Sequence, residues 1–238
     1  MSKNSSLSHR VTNDLRRDIV AGILPPGAWL KTEELAARYS VSANPVREAL
    51  WRLQGEGFVV ANPNQGARVR MVDDDFVRNI FELREAIEPI FVRRFCQRAT
   101  PEDLDRLRAA AADFATVARE QPTDFDALDA ANRDFHNIML EGEINVQAIE
   151  VMQRYAGLIN ATRAKLPIIP SRVRQRVVQH TEMVEAIVAA DADAAARVAV
   201  DHIRAAGEDM LSQMRQVRLT GSRVTRNQPA RKDDLPAG

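Results

Sequence analysis

The chain has 238 residues, of which 45% are hydrophobic, so it has enough length and apolar content for two modest domains with buried cores. Its single cysteine, Cys96, excludes an internal disulfide and thiol metal motifs, which suits a reducing compartment. No apolar run approaches the roughly 18 residues of a membrane helix. The first residues, MSKNSSLSHR, are polar, and we therefore expect a cytoplasmic protein with no membrane partner.

The net charge of zero hides an uneven distribution. Residues 1–70 contain 10 Lys and Arg against 6 Asp and Glu, whereas residues 71–214 contain 17 against 25 and residues 215–238 contain 6 against 2. A basic N-terminal part is suited to binding a polyanion, and an acidic body keeps the rest of the chain away from it.

Residues 8–70 follow the pattern of a winged helix-turn-helix. A first helix is predicted over residues 8–21, and Thr32 caps a short second helix. Asn44 as N-cap and Pro45 at the first helical position begin a third helix, which ends at Gly57. Two apolar segments around a polar tip then predict a β-hairpin over residues 58–69. Three helices and a hairpin within about 60 residues are typical of this DNA-binding fold.

From Asp73 onward the periodicity is helical throughout. One helix begins at residue 73 and another at Thr100-Pro101, and further helices are predicted near residues 124–141, 145–165, 170–190 and 193–216. The predicted fold is mainly α, with an N-terminal winged helix-turn-helix carrying a small β-hairpin wing and a C-terminal all-α helical bundle. The domains are predicted at 8–70 and 73–216, and residues 217–238 are predicted to be a disordered tail because they lack apolar periodicity.

The predicted third helix presents three polar residues at its N-terminal end. These are Ser42, Asn44 and Arg47, and an arginine there can form a bidentate pair with a guanine edge in the major groove. The tip of the hairpin, with Gln65 and Gly66, is small enough to reach a groove or the DNA backbone.

Three motifs in this domain resemble the GntR family of bacterial regulators. They are I-x-x-G-x-L-x-P-G-x-x-L at residues 19–30, P-V-R-E-A-L-x-x-L at residues 45–53 and E-G at residues 56–57. The resemblance implies double-stranded DNA as partner. Ala43 stands where the family usually has Arg, which removes one expected DNA contact and implies a different affinity or operator sequence. The family positions that touch the operator correspond here to Ser42, Asn44, Arg47, Gln65 and Gly66.

Polar residues with metal-ligating side chains occur on three of the later helices. Asn132 and His136 are four apart and share a helix face, whereas His180 and His202 lie among apolar residues on two other helices. Spacing alone leaves two interpretations open, namely separate structural histidines or one divalent metal held by neutral imidazoles and an oxygen. Asp134 is about 200° around the helix from His136 and points elsewhere.

The same region resembles the FCD branch of the GntR family. The resemblance rests on F-H at residues 135–136, on H-x-x-x-x-x-A-I-x-x-x-D-x-x-A-A at residues 180–195 and on residues 200–203. That branch has an all-helical effector domain in which one Asp or Asn and three His often hold a metal that helps to bind a small carboxylate. The resemblance therefore implies a divalent metal, zinc, nickel or manganese, on Asn132, His136, His180 and His202.

The resemblance has two further consequences for the predicted sensor domain. Asn132 in place of the commoner Asp removes a negative charge, which weakens metal binding and makes the site more favourable for an anion. Arg84 and Arg163 are candidates for pairing with an effector carboxylate, with an ordinary salt bridge to a glutamate or surface group as the open alternative for each.

These observations favour a ligand-responsive transcription regulator, acting as a repressor and binding a short palindromic operator as a homodimer. Two alternatives remain from the sequence. One is a metal-dependent hydrolase with an accessory domain, against which stand the missing general base and the unexplained P-V-R-E motif. The other is a helical bundle that serves only for dimerisation.

Overall fold

The structure is a computed structural model and describes residues 3–62 and 66–226. The N-terminal part consists of α1 (Lys3–Ala21), β1 (Trp29–Leu30), α2 (Thr32–Tyr39), α3 (Ala43–Gly55), β2 (Val59–Asn62) and β3 (Gly66–Val69). The C-terminal part consists of α4 (Asp74–Arg98), α5 (Pro101–Glu120), α6 (Phe125–Leu140), α7 (Val146–Gln153), α8 (Ala156–Arg163), α9 (Pro170–Val188) and α10 (Ala192–Arg226). The predicted fold class is confirmed: a winged helix-turn-helix precedes an all-helical region.

The wing contains one strand more than the sequence predicts. β2 and β3 form the expected antiparallel hairpin, and β1 pairs with the other edge of β3, so that the strand order is β1-β3-β2. Leu30 of β1 is buried in the core of the domain. A two-residue strand is too short to show an alternating pattern, so this pairing is invisible to sequence periodicity.

The beginnings of the two short helices differ slightly from prediction. Ser42, and not Asn44, is the N-cap of α3, while Lys31 rather than Thr32 is the N-cap of α2; neither cap side chain accepts a hydrogen bond. Asn44 instead accepts a hydrogen bond from Arg47 Nη1 at 3.1 Å. A side chain engaged with another side chain is not capping the backbone, so Asn44 remains on the exposed surface of the helix.

The helix bounds differ at three further places. α1 begins at Lys3, before the predicted start at residue 8, and α10 continues to Arg226, past the predicted end at residue 216. The first part of the predicted disordered tail is therefore helical, and residues 227–238 lie outside the described residues. The single helix predicted over residues 145–165 is divided into α7 and α8, with Tyr155 between them as N-cap of α8. Tyr155 packs against Gly57 of the winged domain, a long-range contact that local periodicity does not report.

Caps in the helical region follow the sequence signals closely. The Asp73 side chain accepts a hydrogen bond from the backbone N–H of Phe76 at the start of α4. Thr100 and Asp103 form a capping box at the start of α5, with reciprocal side-chain and backbone bonds. These local devices fix where the long helices begin and therefore which faces they pack.

α4 and α10 pack closely around a glycine. A Cβ atom added to Gly207 of α10 would lie 2.8 Å from Cγ of Phe81 of α4, and Phe81 is only 3% exposed. The absent side chain therefore allows the two longest helices of the second domain to approach each other, and their contact includes Met210 and Ile203 in the same hydrophobic core.

We predict that Gly207→Ala lowers the free energy of unfolding. Overpacking a filled core costs about 1–3 kcal/mol, which exceeds the roughly 0.5–1 kcal/mol that alanine gains over glycine in a helix. Gly55→Ala is the matched control, because nothing lies within 4 Å of its added Cβ; it should be neutral or stabilising. Urea unfolding of both variants decides the point, and equal stability of Gly207→Ala and the wild type would contradict the packing.

Candidate functional site

The predicted DNA-contact residues lie on one exposed surface of the winged domain. Ser42, Asn44 and Arg47 are exposed at the start of α3, while Val46 and Leu50 of the same helix are buried in the core. Gly66 is exposed with a φ of +91° at the start of β3, a conformation that favours glycine. Gln65 lies outside the described residues. α3 thus turns an apolar face inward and a polar face outward, as a recognition helix requires.

A broad cleft of about 760 Å³ separates this face of α3 from the sheet. Asn44, Arg47 and Gly66 all line it, which brings the helix and the wing to one concave surface. The sequence interpretation did not single out two tryptophans of the cleft, Trp29 and Trp51, which are 46% and 79% exposed. Trp51 follows Arg47 by four residues, so helical spacing was the available signal for it.

The second candidate site is a cluster of three histidines contributed by three helices. His136 of α6, His180 of α9 and His202 of α10 place one ring nitrogen each within 4.8 Å of the others. Their ring centroids are 5.1–5.4 Å apart. The structure therefore brings together the three histidines predicted as metal ligands, although they are separated by up to 66 residues in the chain.

Several polar atoms of this cluster have no hydrogen-bond partner among residues 3–62 and 66–226. Both ring nitrogens of His180 and the Oδ1 atom of Asn132 are buried and unpartnered there. The His180 ring stacks on Phe135 at 4.1 Å and lies against Phe114 at 4.6 Å, which holds its plane. A buried polar atom without a partner is costly and calls for an explanation; a bound ion would supply one for these atoms.

Burial keeps the three imidazoles neutral. Loss of solvent is the main cause that lowers the pKa of His136 to about 4 and that of His180 to about 2, and it lowers the pKa of His202 as well. The neighbouring arginines, with Arg84 and Arg176 among them, add to the shift. Neutral imidazole nitrogens are the form that ligates a divalent metal.

A glutamine orients one of the rings. Nδ1 of His202 lies 3.0 Å from Oε1 of Gln179, an arrangement in which Nδ1–H donates to the amide oxygen and Nε2 keeps a free lone pair. Such outer hydrogen bonds fix the tautomer of a ligating histidine. The sequence interpretation missed Gln179 because its partner is on another helix. Three neutral nitrogens and an amide oxygen, with unpartnered atoms among them, fit a divalent metal such as zinc, nickel or manganese.

A cavity of about 350 Å³ opens beside the histidines. Asn132, His136, Arg84 and Arg163 line it, so both arginines predicted for an effector are present. Arg84 Nε donates a hydrogen bond to Glu88 Oε1 at 2.5 Å, so one of the two predicted arginines already has a carboxylate partner within the protein. Burial lowers the pKa of Arg163 to about 10, and the nearby Arg176 and Arg84 contribute, yet the guanidinium remains charged at neutral pH.

The short helix α8 joins this cavity to the winged domain. Asn160 and Arg163 of α8 line the cavity, whereas Leu158 belongs to the hydrophobic core of the winged domain. Ahead of α8, the ring of Tyr155 lies under Arg70, whose Nε donates to the carbonyl oxygen of Gly57 at 2.7 Å. The eight-residue helix α8 therefore lines the cavity beside the histidines and also packs in the core of the winged domain.

We predict that metal-free protein loses stability as the pH falls from about 6.5 to 5. The unfolded state binds protons on its histidines near pH 6.5, while the folded state does not until about pH 4 or below, so each buried histidine costs on the order of 1.4 kcal/mol per pH unit in this window. His136→Gln should reduce the slope and His9→Ala, at an exposed histidine, should not. Urea unfolding of chelator-treated protein at pH 7, 6 and 5 measures it, and an identical stability at pH 7 and 5 would contradict the prediction.

Comparison with known proteins places the chain in a family. The model of the FCD domain matches residues 79–205, more than half of the chain, and the model "Bacterial regulatory proteins, gntR family" matches residues 7–69. The first match contains the histidine cluster and the second contains α3 with the wing. Both domain types belong to regulators, so the hydrolase interpretation is set aside.

The relatives named here match less than half of the chain. The Nta operon transcriptional regulator of Aminobacter aminovorans is 41% identical over 83 residues, which cover 35% of this chain and 40% of the relative. The HTH-type transcriptional repressor RspR of Escherichia coli (strain K12) is 33% identical over 100 residues, or 42% of this chain and 44% of the relative. The chain thus spans less than half the length of these relatives.

Solved structures share the fold over most of the chain. E. coli McbR/YncC is 23% identical, with a TM-score of 0.64 over 87% of this chain and 98% of that one. Lar of Listeria monocytogenes is 19% identical, with a TM-score of 0.62 over 88% of this chain and 96% of that one.

No helix in the described part of the chain is long and apolar enough to cross a membrane. The chain belongs to the gntR family of bacterial regulatory proteins, with an FCD domain as its helical part.

Proposed function

We propose that the protein is a homodimeric transcription repressor that binds a short palindromic operator and is controlled by a small carboxylate held at a divalent metal. The observation that carries the proposal is the placement of α8, whose Leu158 lies in the winged-domain core and whose Arg163 lines the cavity beside the histidines. A ligand that moves or stiffens α8 therefore acts directly on the packing of the DNA-binding domain.

The proposed DNA contacts are Ser42, Asn44, Arg47, Gln65 and Gly66. Arg47 is suited to pair with a guanine because it is exposed on the polar face of α3, with Asn44 holding its guanidinium. Two winged domains related by a two-fold axis would read two half-sites, which supports a homodimer on a palindrome. The relative RspR is named a repressor, and we propose the same direction of control here.

The proposed metal ligands are Asn132, His136, His180 and His202. The unpartnered atoms of Asn132 and His180 support this assignment, as do the neutral rings. When bound, the ion supplies a Lewis-acidic position that accepts a carboxylate oxygen. Two residues of the chain support this site: Gln179 orients His202, and the guanidinium of Arg163 lines the same cavity, where it can pair with an effector carboxylate.

We predict that zinc, nickel or manganese raises the melting temperature of chelator-treated protein. At a metal concentration about 100 times Kd the stabilisation is about 2.7 kcal/mol, or roughly 5–10 °C for a protein of this size. His180→Gln and His202→Gln should lose most of the shift, while His9→Ala keeps it. Asn132→Asp should bind metal more tightly because it restores a charged oxygen ligand. If none of the three metals moves the melting temperature and purified protein contains none, the metal assignment is wrong.

We predict that Arg47→Ala weakens specific DNA binding about 5- to 150-fold, the equivalent of the 1–3 kcal/mol of a bidentate guanine contact. Arg52→Ala is the matched control, because Arg52 is also an exposed arginine of α3 but does not line the cleft. Titration at fixed salt, on DNA upstream of the protein's own gene, measures both. The mass of the complex should correspond to two chains per operator, and the same titration with zinc and with a carboxylate should show a change in affinity.

The DNA part of the proposal fails if Arg47→Ala binds the operator as tightly as the wild type and the Arg52→Ala control do. It also fails if one chain binds as a monomer. The effector part fails separately, if operator affinity is the same with and without metal and carboxylate.

A further inference from the structure

A second, smaller cavity of about 40 Å³ adjoins the cavity of about 350 Å³ beside the histidines. The two share Asp129, Asn132 and Arg163 in their walls, so these side chains form the boundary between them. The smaller cavity is otherwise lined by apolar residues of α6 and of the segment before α9, and by residues of α9 and α10 that include Arg176 and Asp209. We refer to it as the annexe. Because a buried water needs about 10–15 Å³ of such space, the annexe has room for a carboxylate-sized group and little more.

Positively charged side chains outnumber carboxylates in the wall of the annexe. Asp129 is already contacted by Arg133 at 3.3 Å, and Asp209 by Arg172 at 3.6 Å. These pairs account for both carboxylates in the wall.

The guanidiniums of Arg163 and Arg176 take no part in these two ion pairs. Neither Arg163 nor Arg176 has a carboxylate oxygen within 4.0 Å or a side-chain hydrogen bond in the described part of the chain. Burial is the main cause that lowers the pKa of both arginines; the charge of Arg176 lowers the pKa of Arg163 further, whereas the charges of Asp129 and Asp209 act in the opposite direction on both. Two cations without a direct ion pair in a poorly solvated space are unfavourable unless an anion joins them.

The chemistry of the pair indicates which anion fits. Guanidinium groups present planar sets of N–H donors that match the two oxygens of a carboxylate. Arg163 lines both cavities, whereas Arg176 lines only the annexe. A molecule that extends from the histidine cluster past Asn132 would therefore place its far end between these arginines.

We infer that the effector is a dicarboxylate, with one carboxylate at the histidine cluster and the second between Arg163 and Arg176 in the annexe. This inference rests on the proposed function, because it deepens the class of ligand assigned to the same domain. Arg176 is then a specificity-determining residue, which distinguishes a dicarboxylate from a monocarboxylate of equal chain length.

The sequence contains one signal for this role. Arg176 precedes His180 by four residues, so the two side chains share a face of α9, and a predicted ligand at His180 places Arg176 one turn away. The sequence interpretation did not single it out among the arginines of α9, of which Arg172 lies eight residues before His180 and Arg174 six.

The test compares acids that differ by one carboxylate, using full-length, zinc-loaded protein and calorimetric titration. The pairs are succinate with butyrate, glutarate with pentanoate, and adipate with hexanoate. In at least one pair the dicarboxylate should bind about tenfold or more tightly, as expected for added charge-assisted hydrogen bonds. If every dicarboxylate binds no more tightly than its partner, the inference is wrong while the proposed carboxylate effector stands. If no acid binds, both are wrong.

A variant locates the second carboxylate. Arg176→Gln should reduce the preference for the dicarboxylate to near unity and leave the monocarboxylate affinity unchanged, because Arg176 does not line the larger cavity. Arg174→Gln, at an exposed arginine of the same helix, should keep the full preference. Retention of the preference in Arg176→Gln overturns the assignment. The ligand-free melting temperature of Arg176→Gln should not fall, since an unpaired charge has been removed, and the wild-type comparison remains decisive if it does.

Discussion

Leu158 packs in the core of the winged domain and so joins the two domains. The side chain belongs to a helix of the FCD domain, yet its neighbours in the hydrophobic core come from α1, α3 and the sheet. Beside it, an alanine side chain in place of Gly57 would overlap the ring of Tyr155. Because protein cores are close-packed and transmit displacement, the position of α8 and the arrangement of the winged domain are linked. The same helix supplies Arg163 to the cavity beside the histidines, so the link reaches the proposed effector site.

The site itself is built at a cost to stability. Loss of solvent holds three imidazoles neutral. In the described part of the chain, Asn132 and His180 have buried polar atoms without hydrogen-bond partners, and Arg163 and Arg176 form no ion pair within 4.0 Å. Such groups reduce the stability of an empty domain and are stabilised when an ion or an anion satisfies them. A ligand that satisfies these groups shifts an equilibrium between two conformations of the domain only to the extent that it binds one of them more tightly.

Much of this arrangement could be predicted from the sequence because it is local. The i,i+4 spacing put Asn132 and His136 on one face, Thr100-Pro101 marked the start of α5, and the P-V-R-E motif indicated the recognition helix. The contacts that sequence reasoning missed are long-range. The strand β1 forms only because β3 is beside it, the break before α8 forms where Tyr155 meets Gly57, and Gln179 orients His202 across two helices. Pairing between distant segments leaves no periodic trace in either segment.

Metal binding at the histidines should stabilise the DNA-binding domain through α8. Amide hydrogen exchange of chelator-treated protein, with and without zinc, measures this most directly, because it reports local opening residue by residue. We expect slower exchange not only in α6, α9 and α10 but also in α8 and at Phe58 and Val59, which share a core with Leu158. Protection confined to the three histidine-bearing helices, with α8 and the winged domain unchanged, would contradict it.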